Sequence, residues 1–192
     1  MSVNVPFAEP PWLNGFPSPY YNDSHRKWQK TVRAFVDKVF MEKAGDWEAA
    51  GDVPDSLYKT VADANMLIPN MGAPLPCADL KRIGIHELPG GLKVEDFDYL
   101  HTAIYIDELA RVGTGGPTGS VTVGAAFGLP PIIKYGNQQL KDRFVEPIVR
   151  GTKRICIAIT EPGAGSDVAN VETTAVKSKD GKSYIVNGTK KW

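Results

Sequence analysis

The chain has 192 residues, 42% hydrophobic and 23% charged, enough to close one ordinary core with part of a second domain. Lysine plus arginine and aspartate plus glutamate stand at 22 each, so there is no summed field to gather nucleic acid or an anionic membrane. Cys77 and Cys156 form no CxxC pair, which argues against a disulfide framework or a zinc site and for a reducing compartment.

No apolar run reaches the ~18 residues of a membrane span. The first 25 residues lack lysine and arginine and resemble neither a secretory signal nor a transit peptide. The expected location is cytoplasmic or peroxisomal, with a mitochondrial one still open.

Residues 1–22 carry Pro6, Pro10, Pro11, Pro17 and Pro19 among aromatics, a composition that predicts an extended arm. Its Phe7, Trp12, Phe16, Tyr20 and Tyr21 are candidates to dock on the body. From Asp23 onward Trp28, Val32, Phe35, Val36, Val39 and Phe40 recur at spacings of three and four. That stripe predicts an amphipathic helix capped by Asn22, Asp23 or Ser24.

A second helix is predicted after Pro54 through Leu57, Val61, Ala64 and Leu67. Residues 69–93 are dense in proline and glycine and read as one long loop. A third helix begins at Asp96 and runs through Phe97, Leu100, Ile104 and Leu109 to Gly113. After a turn over 113–119, residues 121–127 read as a short helix of small side chains, which allow close approach. Asn137 caps another helix through Leu140, Phe144 and Ile148, ending near Gly151.

At Arg154 the pattern turns extended. Ile155, Cys156, Ile157, Ala158 and Ile159 read as a buried strand, with Cys156 an inert core thiol. Residues 173–177 and 183–186 read as two further strands around Asp180-Gly181, and Asn187-Gly188 as a second tight turn. The expected fold is mainly α with an incomplete antiparallel β portion, divided into an arm (1–22), a helical domain (23–152) and the start of a β domain (153–192).

The run Thr160-Glu161-Pro162-Gly163-Ala164-Gly165-Ser166-Asp167 carries the chemistry. Pro162, Gly163 and Gly165 force an irregular turn at the end of an extended segment. Backbone N–H groups and the Thr160 and Ser166 hydroxyls are then free to meet a planar ring with a polar edge. Glu161 is expected to brace the turn by accepting backbone hydrogen bonds, not to act as a base. Gly113-Thr114-Gly115-Gly116 fails the dinucleotide pattern, because Thr118 holds the last glycine position. His25, His86 and His101 share no metal spacing, and each reads as a surface or packing residue.

Here the chain resembles the acyl-CoA dehydrogenase family. The resemblance rests on TEPGAGSD after an apolar run and on Asn187-Gly188-Thr189-Lys190-Lys191-Trp192. It also rests on Asp107-Glu108-Leu109-Ala110-Arg111-Val112-Gly113 and on 133–141. It implies FAD contacts from Ile157, Ala158, Ile159, Thr160, Gly165, Ser166 and Trp192, with Ser166 also touching the thioester. Tyr105 and 120–126 would line the acyl pocket, core packing being the equal alternative for them.

The implied reaction removes two hydrogens across the α and β carbons of an acyl-CoA, a carboxylate taking the proton and flavin the hydride. No catalytic base is expected within this chain. It would then be one part of a longer enzyme, inactive alone, feeding a flavoprotein carrier or oxygen and forming a homo-oligomer when complete. The alternatives are a related acyl-CoA or nitroalkane oxidase, or a non-catalytic binding module. Asn170 departs from the family pattern, which usually has a small residue there.

Overall fold

The computed structural model describes residues 9–192 in two compact units, one ending at Ile155 and one covering Cys156–Trp192. Among the described residues no helix is long and apolar enough to cross a membrane. The expectations for Pro6 and Phe7 lie outside the described residues.

The first unit is helical. Its helices are α1 (Asp23–Val36), α2 (Ala44–Ala50), α3 (Asp55–Asp63), α4 (Cys77–Arg82), α5 (Tyr99–Ala110), α6 (Gly116–Tyr135) and α7 (Gln138–Val149). The arm is not wholly extended: Pro11–Asn14 forms one 3-10 turn, started by the fixed φ of Pro11. Trp12 is buried and stacks on Tyr21 at 4.2 Å, while Phe16 and Tyr20 are exposed.

The predicted stripe packs α1 into the core through Trp28, Val32 and Val36, continued by Phe40 in a π-turn, Asp37–Met41. Asn22 caps α1 by accepting the N–H groups of Ser24 and His25. Helix α5 packs along α1 in the same direction, and its own cap is Asp98, which accepts from Leu100 and His101.

Both helices carry a histidine three residues into the first turn, and the two rings meet with centroids 4.2 Å apart. His25 Nδ1 accepts the Asn22 N–H at 3.0 Å, so its Nε2 carries the proton that points at Asp98 Oδ2, also at 3.0 Å. His101 Nδ1 lies 3.2 Å from the Asp98 N and its Nε2 lies 3.2 Å from Ser24 Oγ. His25 and His101 are thus packing residues, buried and joined through Asp98, while His86 lies exposed at the surface. A spacing of 76 residues hides such a pair, because tertiary packing alone brings it together.

About two turns farther along the same interface, Glu108 is fully buried. Its Oε1 accepts from Gln29 Nε2 at 2.7 Å and Arg33 Nη2 at 2.9 Å; its Oε2 accepts from Arg33 Nε at 3.0 Å and Arg111 Nη1 at 2.9 Å. Arg33 also meets Glu9 at 2.7 Å, and Arg111 meets Asp37 at 3.0 Å. Burial works against the Arg33 charge, but the hydrogen bonds to Glu108 and Glu9 outweigh it and push the pKa up.

Segment 69–93 is not one loop. It holds a 3-10 turn (Ile68–Met71), α4, and a small antiparallel hairpin of β1 (Glu87–Leu88) and β2 (Leu92–Lys93). Its glycines are the turn points of these pieces: Gly84, Gly90 and Gly91 all have positive φ. Leu75, Leu80, Ile85, Leu88 and Leu92 anchor it in the core.

Helix α6 is also longer than the predicted 121–127, running through Pro130 and Pro131. Each proline removes a helical donor, yet Leu129 is buried and Ile133 packs on the core, so burial carries the helix past them. Pro117, Val121, Ala125 and Leu129 form its buried stripe at steps of four.

Candidate functional site

The second unit contains one antiparallel hairpin, β3 (Thr174–Lys177) with β4 (Tyr184–Asn187), in register from Thr174 opposite Asn187 to Lys177 opposite Tyr184. Its connection is the predicted Asp180-Gly181 turn: Gly181 takes φ +70° and the Asp180 carboxylate accepts the Lys182 N–H. Asn187-Gly188 is no turn. Asn187 ends β4, and Gly188 lies flush against Thr173, where a Cβ would stand 2.7 Å from the Thr173 Cβ and 2.8 Å from its Cα. The glycine serves close backbone approach.

Residues 155–159 form no strand ladder among the described residues, and Cys156 is exposed instead of lying in a core. An apolar run becomes a buried strand only with a paired neighbour and a covering layer. Here Ile157, Ala158 and Ile159 remain on the surface of their unit.

Thr160 is half-buried, and its carbonyl accepts the Lys191 N–H at 2.9 Å. Glu161 and Ala164 exchange two backbone hydrogen bonds, Glu161 N to Ala164 O at 2.9 Å and Ala164 N to Glu161 O at 3.2 Å, closing the turn over Pro162 and Gly163. Two of the N–H groups expected to face outward are thus spent within the turn. Gly165 and Ser166 follow on exposed backbone, and Trp192, 98% exposed, stands one residue beyond the Lys191 contact with Thr160.

The Glu161 side chain is 5% exposed and turned inward. It accepts the Glu172 N–H at 2.6 Å, the Thr173 N–H at 3.1 Å and the Lys190 ammonium at 2.8 Å. The Lys190 hydrogen bond first, and the contacts from Thr173 and Glu172 after it, hold the carboxyl at a pKa of about 2. A group so spent is a poor proton acceptor. The sequence contained Glu161 as a brace, but its lysine partner, 29 residues away, carried no local signal.

In the helical unit Tyr105 is buried with its hydroxyl donating to the Met66 carbonyl at 2.7 Å, a core position. Of the small-residue segment, Val121 and Ala125 face the core while Ser120 and Val123 are exposed. Close approach occurs one residue past that segment, at Gly128, where a Cβ would stand 2.5 Å from Ile155 Cγ1. His25, Asp98 and His101 form a cluster of potential metal donors. The His25 Nδ1 bond to a backbone N–H leaves a proton on the Nε2 that faces Asp98, which is the arrangement of a helix cap, not of a ligand awaiting a cation.

The family model described as "Acyl-CoA dehydrogenase, N-terminal domain" matches residues 22–152, and "Acyl-CoA dehydrogenase, middle domain" matches 156–192. The acyl-CoA dehydrogenase apdG of Emericella nidulans is 60% identical over 98% of this chain, which spans 43% of that relative's length. A crystal structure of an acyl-CoA dehydrogenase from Geobacillus kaustophilus is 29% identical, covering 91% of this chain and 40% of its own, with a TM-score of 0.68. An acyl-CoA dehydrogenase complexed with FAD from Bacillus anthracis shares the fold at 24% identity and a TM-score of 0.69, covering 94% of this chain and 28% of its own. With its helical unit and its β segment each matched in order, this chain belongs to the acyl-CoA dehydrogenase family.

Proposed function

We propose that the chain supplies the amino-terminal helical part, 23–152, and the flavin-facing start of the β domain, 153–192, of an FAD-dependent enzyme that dehydrogenates an acyl-CoA thioester across its α and β carbons. Residues 1–22 are the arm of that helical part. The observation that carries the reading is the Glu161-braced turn. It leaves Ile157, Ala158, Ile159, Thr160, Gly165 and Ser166 at or near the surface of their unit, beside the segment that leads to Trp192.

Exposed Ile157, Ile159 and Trp192 fit the apolar faces of a flat ring, and the hydroxyls of Thr160 and Ser166 fit its polar edge. Bound FAD supplies the acceptor for the hydride that leaves the substrate's β carbon. The chain's part would be to bind and orient: Thr160 would hold the ring edge, Ser166 would touch both flavin and thioester, and Trp192 would cover the ring's flank. Glu161, the one buried carboxylate described in the second unit, is occupied by three donors. The carboxylate that takes the α proton is therefore to be sought elsewhere in the protein. A flavoprotein carrier would be the electron acceptor, and the complete protein would assemble as a homo-oligomer.

The test is a titration of the full-length protein with FAD, followed by anaerobic addition of acyl-CoA thioesters of graded chain length. Bleaching of the visible flavin band by a thioester supports the reading, and an absence of FAD binding overturns it. Peroxide released in step with substrate would replace the dehydrogenase by an oxidase.

A further inference from the structure

We propose that Glu161 is a positioning residue for flavin capture, its buried carboxylate locking the 160–166 turn to the segment that carries Trp192 through an ion pair with Lys190. The functional half of this rests on the flavin reading above; the clasp itself stands on geometry.

Three stretches of chain converge on one carboxylate. The first is the turn that contains Glu161 itself. The second is 172–173, whose two N–H groups the carboxylate accepts at 2.6 and 3.1 Å. The third is 190–191: Lys190 Nζ reaches Glu161 Oε1 at 2.8 Å and the Ile159 carbonyl at 3.0 Å, and the Lys191 N–H bonds the Thr160 carbonyl at 2.9 Å.

Gly188 lets the third stretch lie flush on the second at Thr173. These contacts give 159–161 and 190–191 the closeness of neighbouring strands, although neither belongs to the β3–β4 ladder. The Glu161 end of the pair is shielded from water while Lys190 stays partly open to it, and the two backbone N–H groups that the same carboxylate accepts make the contact more than a lone surface pair. A carboxylate that holds its charge is required, because each of its three partners donates a hydrogen bond to it.

The consequence is coupling. Loss of either charge should loosen both the turn and the Trp192 segment, because the same pair restrains each. A residue that braced only its own turn would leave 190–192 unaffected.

The experiment compares wild type, Glu161→Gln, Lys190→Met and the double variant in the full-length protein by two measurements. Amide exchange is read at Glu172, Thr173 and Lys191. FAD affinity and the visible spectrum of the bound flavin are read by titration. The expected result is faster exchange at Lys191 in both single variants and FAD affinity weakened about tenfold or more. The bound-flavin spectrum should shift alike in both, and the double variant should be no worse than the worse single one.

Unchanged Lys191 exchange in Glu161→Gln overturns the clasp whether or not flavin binds. Faster exchange with unchanged FAD affinity and spectrum overturns the positioning role. A wild-type protein that takes up no FAD overturns the flavin reading and the functional half with it, while exchange still judges the clasp.

Discussion

Replacing Glu108 by alanine removes the acceptor at the centre of the α1–α5 interface. The carboxylate is fully buried and takes hydrogen bonds from Gln29, Arg33 and Arg111, four of them between 2.7 and 3.0 Å. Breaking a buried ion pair from one side costs about 3–5 kcal/mol, because the cations left behind have given up their water. Arg33 keeps Glu9 and Arg111 keeps Asp37, which places the expected loss near the lower end, about 3 kcal/mol.

For a chain of this size each kcal/mol moves Tm by roughly 2–4 °C, so the melting of the helical unit should fall by about 6–12 °C. Circular dichroism melts and urea titrations of wild type, Glu108→Ala, Arg33→Met and the double variant measure it. The double variant should lose clearly less than the two single losses added together, since one interaction is removed twice. A loss below about 1 kcal/mol for Glu108→Ala, or strict additivity with Arg33→Met, would refute the argument that the network holds the two helices.

Gly128→Ala should destabilise by about 1–3 kcal/mol despite alanine's better helix propensity, because the new methyl meets Ile155. With Ile155→Ala in place the same change should become neutral or stabilising; a loss of equal size in both backgrounds sinks the packing argument. The second expectation concerns pH. Burial, and after it the His25 charge, lower the His101 pKa, only partly opposed by Asp98 and Asp96. Its folded pKa thus lies below the unfolded value of about 6.5. The neutral ring then contributes stability that is complete above about pH 6.5 and is lost as pH falls toward the folded pKa. Tm measured from neutral to mildly acid pH should drop more steeply in wild type than in His101→Gln, and equal slopes would count against it.

Much of the helical unit was legible because its signals are local. Asn22 and Asn137 sit one residue before amphipathic runs, and the Trp28-to-Phe40 stripe has the period of a helix facing a core. Helix α2 gave no such signal: seven residues that bury only Ala44 show no stripe. Residues 69–93 looked structureless because a six-residue helix and a two-residue ladder are too short to show a period among so many prolines and glycines. The apolar run 155–159 misled in the opposite sense, since composition reports suitability for a strand and says nothing of a pairing partner. In the second unit the Pro162-Gly163 turn was readable from its residues. The role of Lys190 was not, because a salt bridge across 29 positions depends on the folded backbone.

The shared start of α1 and α5 has an electrostatic meaning. Two helices that begin side by side and run the same way set their partial positive charges together, and such ends repel. Asp98 lies where both are felt: it caps α5 through the Leu100 and His101 amides and reaches α1 through the His25 ring. One carboxylate therefore compensates two macrodipoles, and Asp23 in the first turn of α1 adds a second negative charge at that pole. For His101 the neutral imidazole is the form that suits this end of the bundle, since a proton added to its ring would put a full positive charge where two half-charges already stand.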